Sequence, residues 1–198
     1  MKLIIQGLED QKIILASSSP RRKELLEQIG LKFKVVPSSI EESIQPGETP
    51  LEFAQRMARE KAHAVGKNSN DALIISADTI VLLDDHVLGK PAVKEKAYKM
   101  LAQLSGREHK VITAFYILNT STDQSISEHV ETSVIFKELC EDEILAYIKT
   151  GEPYDKAGGY AIQGIGSFMI KEIKGSYTNV VGLPICELIE VLKRINTK

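Results

Sequence analysis

The chain has 198 residues, 43% of them hydrophobic, and a formal net charge of −2. That length and apolar content are enough to bury a sizeable core. The near-neutral charge excludes a nucleic-acid coat or a polybasic membrane patch, so phosphate recognition would have to come from a few placed cations. No apolar run approaches the roughly 18 residues of a spanning helix, and the opening MKLIIQGLED lacks the pattern of a secretory leader. Cys140 and Cys186 are isolated, and His63, His86, His109 and His129 are scattered without metal-ligand spacing. Neither a zinc site nor a disulfide framework is expected, and the chain reads as cytoplasmic. HExxH, CxxC, GxSxG and GxxxxGKS/T do not occur, which removes zinc proteases, thiol redox centres, α/β-hydrolases and P-loop enzymes.

Lys12–Ala16 (KIILA) reads as a strand, followed by three serines, Pro20 and an amphipathic run with Leu25, Leu26 and Ile29 on one face. Ser19 suits an N-cap and Pro20 the first helical position. Such a turn aims several backbone N–H groups at one spot and favours an anion. Arg21 and Arg22 then fall at the positive end of the helix dipole, each at a cost of roughly 0.3–1 kcal/mol without a counter-charge. They are either ligands of a bound anion or solvated arginines on a surface helix. Lys32–Val36 alternates as a strand does and leads to a loop holding Glu41 and Glu42. That acidic pair fits Mg²⁺, which takes one or two carboxylates and keeps its waters, or an ordinary surface loop. A helix from Thr49 or Pro50 to about Val65 is expected to bury Leu51, Phe53, Ala54, Met57, Ala58, Ala62 and Val65. Lys61 lies beside that face, as a cleft residue or a plain charged flank.

Ala72–Leu83 (ALIISADTIVLL) is a near-continuous apolar run, as in a strand covered on both faces. Asp78 interrupts it. A carboxylate there is costly unless paired, metal-bound or open to a cleft, so a functional role is the favoured reading. Asp84, Asp85 and His86 are expected as a hairpin turn. In Gly89-Lys90-Pro91 the proline holds Lys90 extended, as a phosphate ligand or as common loop chemistry. Val93–Leu104 is predicted helical, Val111–Leu118 and Ile126–Phe136 a β-hairpin, and Glu141–Ile148 a short helix. Asp155–Ser167 (DKAGGYAIQGIGS) carries four glycines between Gly158 and Gly166. They match no dinucleotide fingerprint, but Gln163 among them has an amide that both donates and accepts, suited to the edge of a base. Phe168–Ile173 is expected as a strand and Ile185–Ile195 as the closing helix. Helix–strand alternation followed by long hairpins predicts an α/β chain with a mixed sheet. The inventory points to a pyrophosphate-bearing ligand and metal-assisted hydrolysis.

SSSPRRKELL, AREKA, SADT, GKP, KAGGYAIQG and GSYTNVVGLP stand in the order and at the spacing of the Maf family of nucleoside triphosphate pyrophosphatases, which the chain resembles from Ile13 to its last helix. The resemblance implies a mixed, curved β-sheet flanked by helices with a central cleft, similar to the inosine triphosphate pyrophosphatase fold. It implies one domain over residues 1–198 with two lobes around that cleft. It also implies cleavage between the α and β phosphates with a divalent cation (Mg²⁺ or Mn²⁺), in a cytoplasmic homodimer. Carried over by motif, Asp78 is the proton acceptor and Glu42 the acid tied to metal and catalysis. Lys61 and Lys90 line the cleft, with Lys90 in the catalytic set. Arg21, Thr79 and Gln163 set substrate choice, and Ser17 and Ser19 form the phosphate-side loop. Thr79 and Gln163 make the chain similar to the branch acting on dTTP and UTP, with modified pyrimidine nucleotides also open, rather than the branch preferring 7-methyl-GTP. Two alternatives remain: a nucleotide-binding regulator of cell division or septum formation, and a broad house-cleaning pyrophosphatase. Gly159 stands where members often have Ala and is expected to loosen its loop. The lead of about ten residues before the first strand has no assigned role.

Overall fold

In the computed structural model, which describes residue 8 and residues 11–196, the first apolar run forms β1 (Lys12–Leu15). Apart from Leu8 and Gln11, the N-terminal lead lies outside the described residues. β1 pairs in parallel with β2 (Lys34–Val35) on one side and with β3 (Ala72–Leu83) on the other, so that Ile14 lies opposite both Lys34 and Ile74. Parallel neighbours need crossover connections. These are α1 (Pro20–Gln28) and α2 (Pro50–Gly66), each opened by an N-cap hydroxyl and a proline in its first turn. β3 then reverses into β4 (His86–Leu88) through Asp84 and Asp85, both at positive φ, 48° and 63°. Two consecutive left-handed residues match the right-handed twist of the strands, and aspartate tolerates that conformation. The turn is therefore two residues long, and His86 already belongs to β4.

The remaining elements are α3 (Lys94–Leu104), β5 (Glu108–Asn119), β6 (Gln124–Phe136), α4 (Glu141–Lys149), β7 (Ile170–Lys174), α5 (Tyr177–Val181) and α6 (Ile185–Asn196). Among the described residues the sheet has seven strands in the order β2-β1-β3-β5-β6-β7, with β4 beside β3. It is mixed, as the sequence predicts. Three further segments differ from the sequence expectation, the first being β2, which keeps only Lys34 and Val35 of the expected Lys32–Val36 strand. Phe168 and Met169 close a 3₁₀ turn (Ile165–Met169) instead of opening a strand, because Ser167 bonds back to the Gly164 carbonyl through both its N–H and its hydroxyl. α5 arises within the GSYTN motif, where the Ser176 hydroxyl accepts the Asn179 N–H at 3.3 Å and caps a short helix. No helix among the described residues is long and apolar enough to cross a membrane.

The chain divides into two compact units, one of residues 1–78, 113–130 and 182–198, the other of residues 79–112 and 131–181. In the first, Leu15, Leu26, Met57, Leu73, Ile75 and Phe115 are fully buried. In the second, the apolar faces of α3 and α4 meet β5 and β6 in a cluster that includes Leu101, Leu104, Val134, Phe136, Ile144 and Tyr147. His109 is buried in the second unit, paired with the Tyr160 hydroxyl at 2.7 Å and packed edge-on against the rings of Phe136 and Tyr160. Its Nδ1 has no hydrogen-bond partner among the described residues.

Burial holds His109 neutral and pulls its pKa from 6.5 to about 4. The unfolded chain takes up a proton that the folded one refuses, so stability is full above pH 6.5 and falls as the pH drops toward 4. This one residue accounts for a loss of about 3 kcal/mol across that window. Urea unfolding of wild type and His109→Leu at pH 7 and pH 4 should show a smaller loss in the variant.

Candidate active site

The informative junction is where α2 crosses β3. Ser76 and Asp78, two residues apart, share one face of the strand. Ala58 and Lys61, three apart, share one face of the helix. The Ser76 hydroxyl donates to the Ala58 carbonyl at 2.6 Å, and the Lys61 ammonium donates to Asp78 Oδ1 at 2.6 Å. The serine fixes the crossing, and the ion pair follows from the same register. Lys61 and Asp78 are each about 7% exposed. Lys61 is thus part of the buried face of α2 rather than a solvated flank, and Asp78 is paired, as its place in an apolar strand demands.

A second carboxylate meets the same ammonium: Glu42 Oε1 lies 2.5 Å from Lys61 Nζ. The loop that carries it is tied to α2 by Arg56, which grips both oxygens of Glu48 at 2.6 and 2.7 Å and donates to the Ser43 carbonyl at 2.8 Å. That grip holds the Glu48 carboxyl down at a pKa of about 2. Thr49 and Glu52 complete the entry of α2 with a reciprocal capping box.

The serine loop leads into α1. Ser17 is buried, and its hydroxyl accepts from the Ser19 N–H at 3.2 Å and from Arg22 Nη1 at 3.1 Å. Arg22 also donates through Nε to the Gly182 carbonyl at 2.8 Å, and its charge acts on Asp78 and Glu42. Side chains in a first helical turn point back over the loop before them, which is why Arg22 reaches Ser17. The resemblance names Arg21 and not Arg22. The signal was present in the direction of helical side chains, but spacing alone did not separate the two arginines. Arg21 is close enough for its charge to depress the Arg22 pKa further, although burial is the larger cause. Burial likewise pushes the Asp78 carboxyl above its ordinary value, while Lys61 and Arg22 pull it back down. A carboxylate poised in this way is suited to accept a proton.

The first unit therefore brings together Ser17, Ser19, Arg21, Arg22, Glu42, Lys61 and Asp78. Thr79, Lys90 and Gln163 belong to the second unit. There the GKP loop and the glycine block hold each other: the Gly158 N–H donates to the Gly89 carbonyl at 3.1 Å. A Cβ on Gly159 would lie 3.3 Å from Pro91 Cγ. Gly159 has φ +71°, the left-handed region that glycine adopts without strain. Lys90 itself is exposed, and Gln163 is half-buried.

A family model described as Maf-like protein matches residues 12–195. The dTTP/UTP pyrophosphatase of Desulfotalea psychrophila is 52% identical over 183 residues, covering 92% of this chain and 94% of the relative. That of Syntrophus aciditrophicus is 49% identical over 183 residues, covering 92% and 89%. Among solved structures, the Ham1 protein of Staphylococcus aureus aligns with a TM-score of 0.54 at 15% identity, over 93% of this chain and 100% of that one. This likeness shows the fold, the inosine triphosphate pyrophosphatase-like architecture expected from the motifs.

Lys61→Met leaves the buried Asp78 without its ammonium partner and is expected to cost about 3–5 kcal/mol at pH 7 by urea unfolding. Because the folded Asp78 pKa already lies above its unfolded value, its charged form is the costly one. The penalty is therefore absent below about pH 4 and grows as the pH rises through the folded value. The gap between variant and wild type should narrow on acidification; a gap independent of pH would mean that packing alone was lost.

Proposed function

The chain belongs to the Maf family, and we propose that it is a nucleoside triphosphate pyrophosphatase that cleaves dTTP and UTP to the nucleoside monophosphate and pyrophosphate. The observation that carries this reading is the Lys61 ammonium bracketed by Asp78 and Glu42, with Arg22 and the Ser17 loop alongside. A module that only bound nucleotide would need the cations but would have no use for a buried proton-accepting carboxylate.

Ser17, Ser19 and the α1 N-terminus offer donors to phosphate oxygens, while Arg21 and Arg22 offset their charge. Asp78 takes a proton from a water whose oxygen bonds to the α-phosphorus as the bond from that phosphorus to the α–β bridging oxygen breaks. Pyrophosphate departs with the electron pair of that bond. Positioning and charge stabilisation supply most of the rate enhancement. Thr79, Lys90 and Gln163, in the second unit, carry the family roles of substrate choice and phosphate contact, with the Gln163 amide addressing the base.

Glu42 and Asp78 converge on one point, 2.5 and 2.6 Å from Lys61 Nζ. Among the described residues no cage of three or more ligating side chains occurs; two carboxylates that meet at one ammonium would suit Mg²⁺ or Mn²⁺ that takes its other ligands from phosphate and water. Glu42 is the residue we assign to hold it. Bound there, a divalent cation would neutralise phosphate charge and polarise the phosphoryl oxygens. The same reading makes the enzyme a cytoplasmic homodimer.

The deciding experiment is pyrophosphate release from a panel of pyrimidine and purine triphosphates in the presence of magnesium. dTTP and UTP should be the preferred substrates; a protein that leaves both intact would refute the reading. Asp78→Asn keeps the shape and removes the base, and should lower kcat by roughly 10²–10⁴ while dTTP still binds. Turnover unchanged in that variant would take Asp78 out of the mechanism.

A further inference from the structure

The glycine block is gripped at both ends by side chains to which neither the motifs nor the resemblance gives a role. Tyr147 on α4 and Glu152, in the 3₁₀ turn Glu152–Asp155 that follows it, form one hydrogen-bonded unit. The Tyr147 hydroxyl donates to Glu152 Oε1 at 2.9 Å. The same oxygen accepts the Gly166 N–H at 3.0 Å, and Oε2 accepts the Ile165 N–H at 3.1 Å. At the other end of the block the Ala161 N–H donates to the Tyr147 oxygen at 3.3 Å. One residue earlier, Tyr160 is fixed to His109 at 2.7 Å. Residues 162–164 alone lie between these anchors, and Gln163 is the middle one.

The glycines are where they are because of this grip. A Cβ at Gly166 would stand 2.6 Å from the Ala161 carbonyl oxygen and 2.8 Å from the Tyr147 hydroxyl. At Gly164, where φ is +94°, it would stand 2.8 Å from Glu152 Oε2. The loop closes on itself around the carboxylate and the phenol, and a side chain at either position would pry it open.

We propose that Tyr147 and Glu152 are the positioning pair for base selection: they fix the loop that presents Gln163 and so set a preference for thymine and uracil over cytosine. This rests on the reading of the chain as a pyrimidine triphosphate pyrophosphatase. The reason lies in the symmetry of a glutamine amide. It has one donor side and one acceptor side, and a half-turn about its last bond exchanges them. Holding the loop leaves that half-turn possible but fixes the place and direction from which the amide meets the base; a loose loop loses that geometry and the discrimination that depends on it. Glu152 gives two acceptor oxygens to three donors. A glutamine at position 152 has one oxygen, and its NH₂ faces at least one of those donors whichever way round it sits. Burial and the neighbouring carboxylate raise the Tyr147 pKa, so the phenol remains a donor.

The test compares wild type, Glu152→Gln and Tyr147→Phe for kcat/KM on dTTP, UTP and CTP, with amide hydrogen exchange at Ile165 and Gly166 followed by NMR. Tyr147→Phe keeps the buried ring and guards against a variant that fails to fold. Both variants should exchange faster at those two amides. The dTTP-to-CTP ratio should fall roughly tenfold, chiefly through KM, with the rate on CTP little changed. Equal losses on all three nucleotides would make the pair a structural support only and overturn the proposal, as would an unchanged ratio. Wild-type protein that releases no pyrophosphate from dTTP or UTP would instead refute the functional reading, and the exchange data would still decide whether the pair holds the loop.

Discussion

A charged carboxylate in the middle of an apolar strand is the constraint on which the site depends. Asp78 stands in β3 among residues that are nearly all buried, and desolvation alone would neutralise it. Its charge is offset because the Lys61 ammonium is delivered to it by a helix whose crossing is fixed one turn away by Ser76 and Ala58. Removing Lys61 leaves Asp78 buried with only the charge of Arg22 to offset it, whereas Lys61 without Asp78 still meets Glu42. Glu42 joins from a loop that would be free to wander without Arg56 and Glu48.

The two units solve the same problem by different means. In the first, functional side chains are placed by secondary-structure register: a strand face, a helix face and a first helical turn. In the second, the glycine block has little regular structure of its own. It is placed by polar side chains, with buried Tyr147 and half-buried Glu152 on one side and His109 with Tyr160 at its start. Such a loop can vary its presented residue while its anchors stay put.

Much of the fold was legible because periodicity and capping are local. Ser19-Pro20 and Thr49-Pro50 announced two helices, and the run from Ala72 to Leu83 announced the longest buried strand to the residue. Misreadings fell where local pattern and tertiary bonding compete. Phe168 and Met169 look like the start of a strand, yet Ser167 closes a 3₁₀ turn over them. Lys61 reads equally as a solvated flank or a cleft residue, since its partners lie 19 residues before it and 17 after it. Arg22 reads like its neighbour Arg21 until the direction of the helix start is known.

The sequence by itself determined most of the helices and strands, that Asp78 required a partner, and, through its ordered motifs, the family. Those conclusions rest on the spacing of residues along the chain. Only the tertiary structure decided that Lys61 is the partner, that Arg22 bonds Ser17, and that Glu152 holds the loop around Gln163. Each of these is a contact between segments whose relative placement depends on packing, and a one-dimensional pattern carries no distance between them.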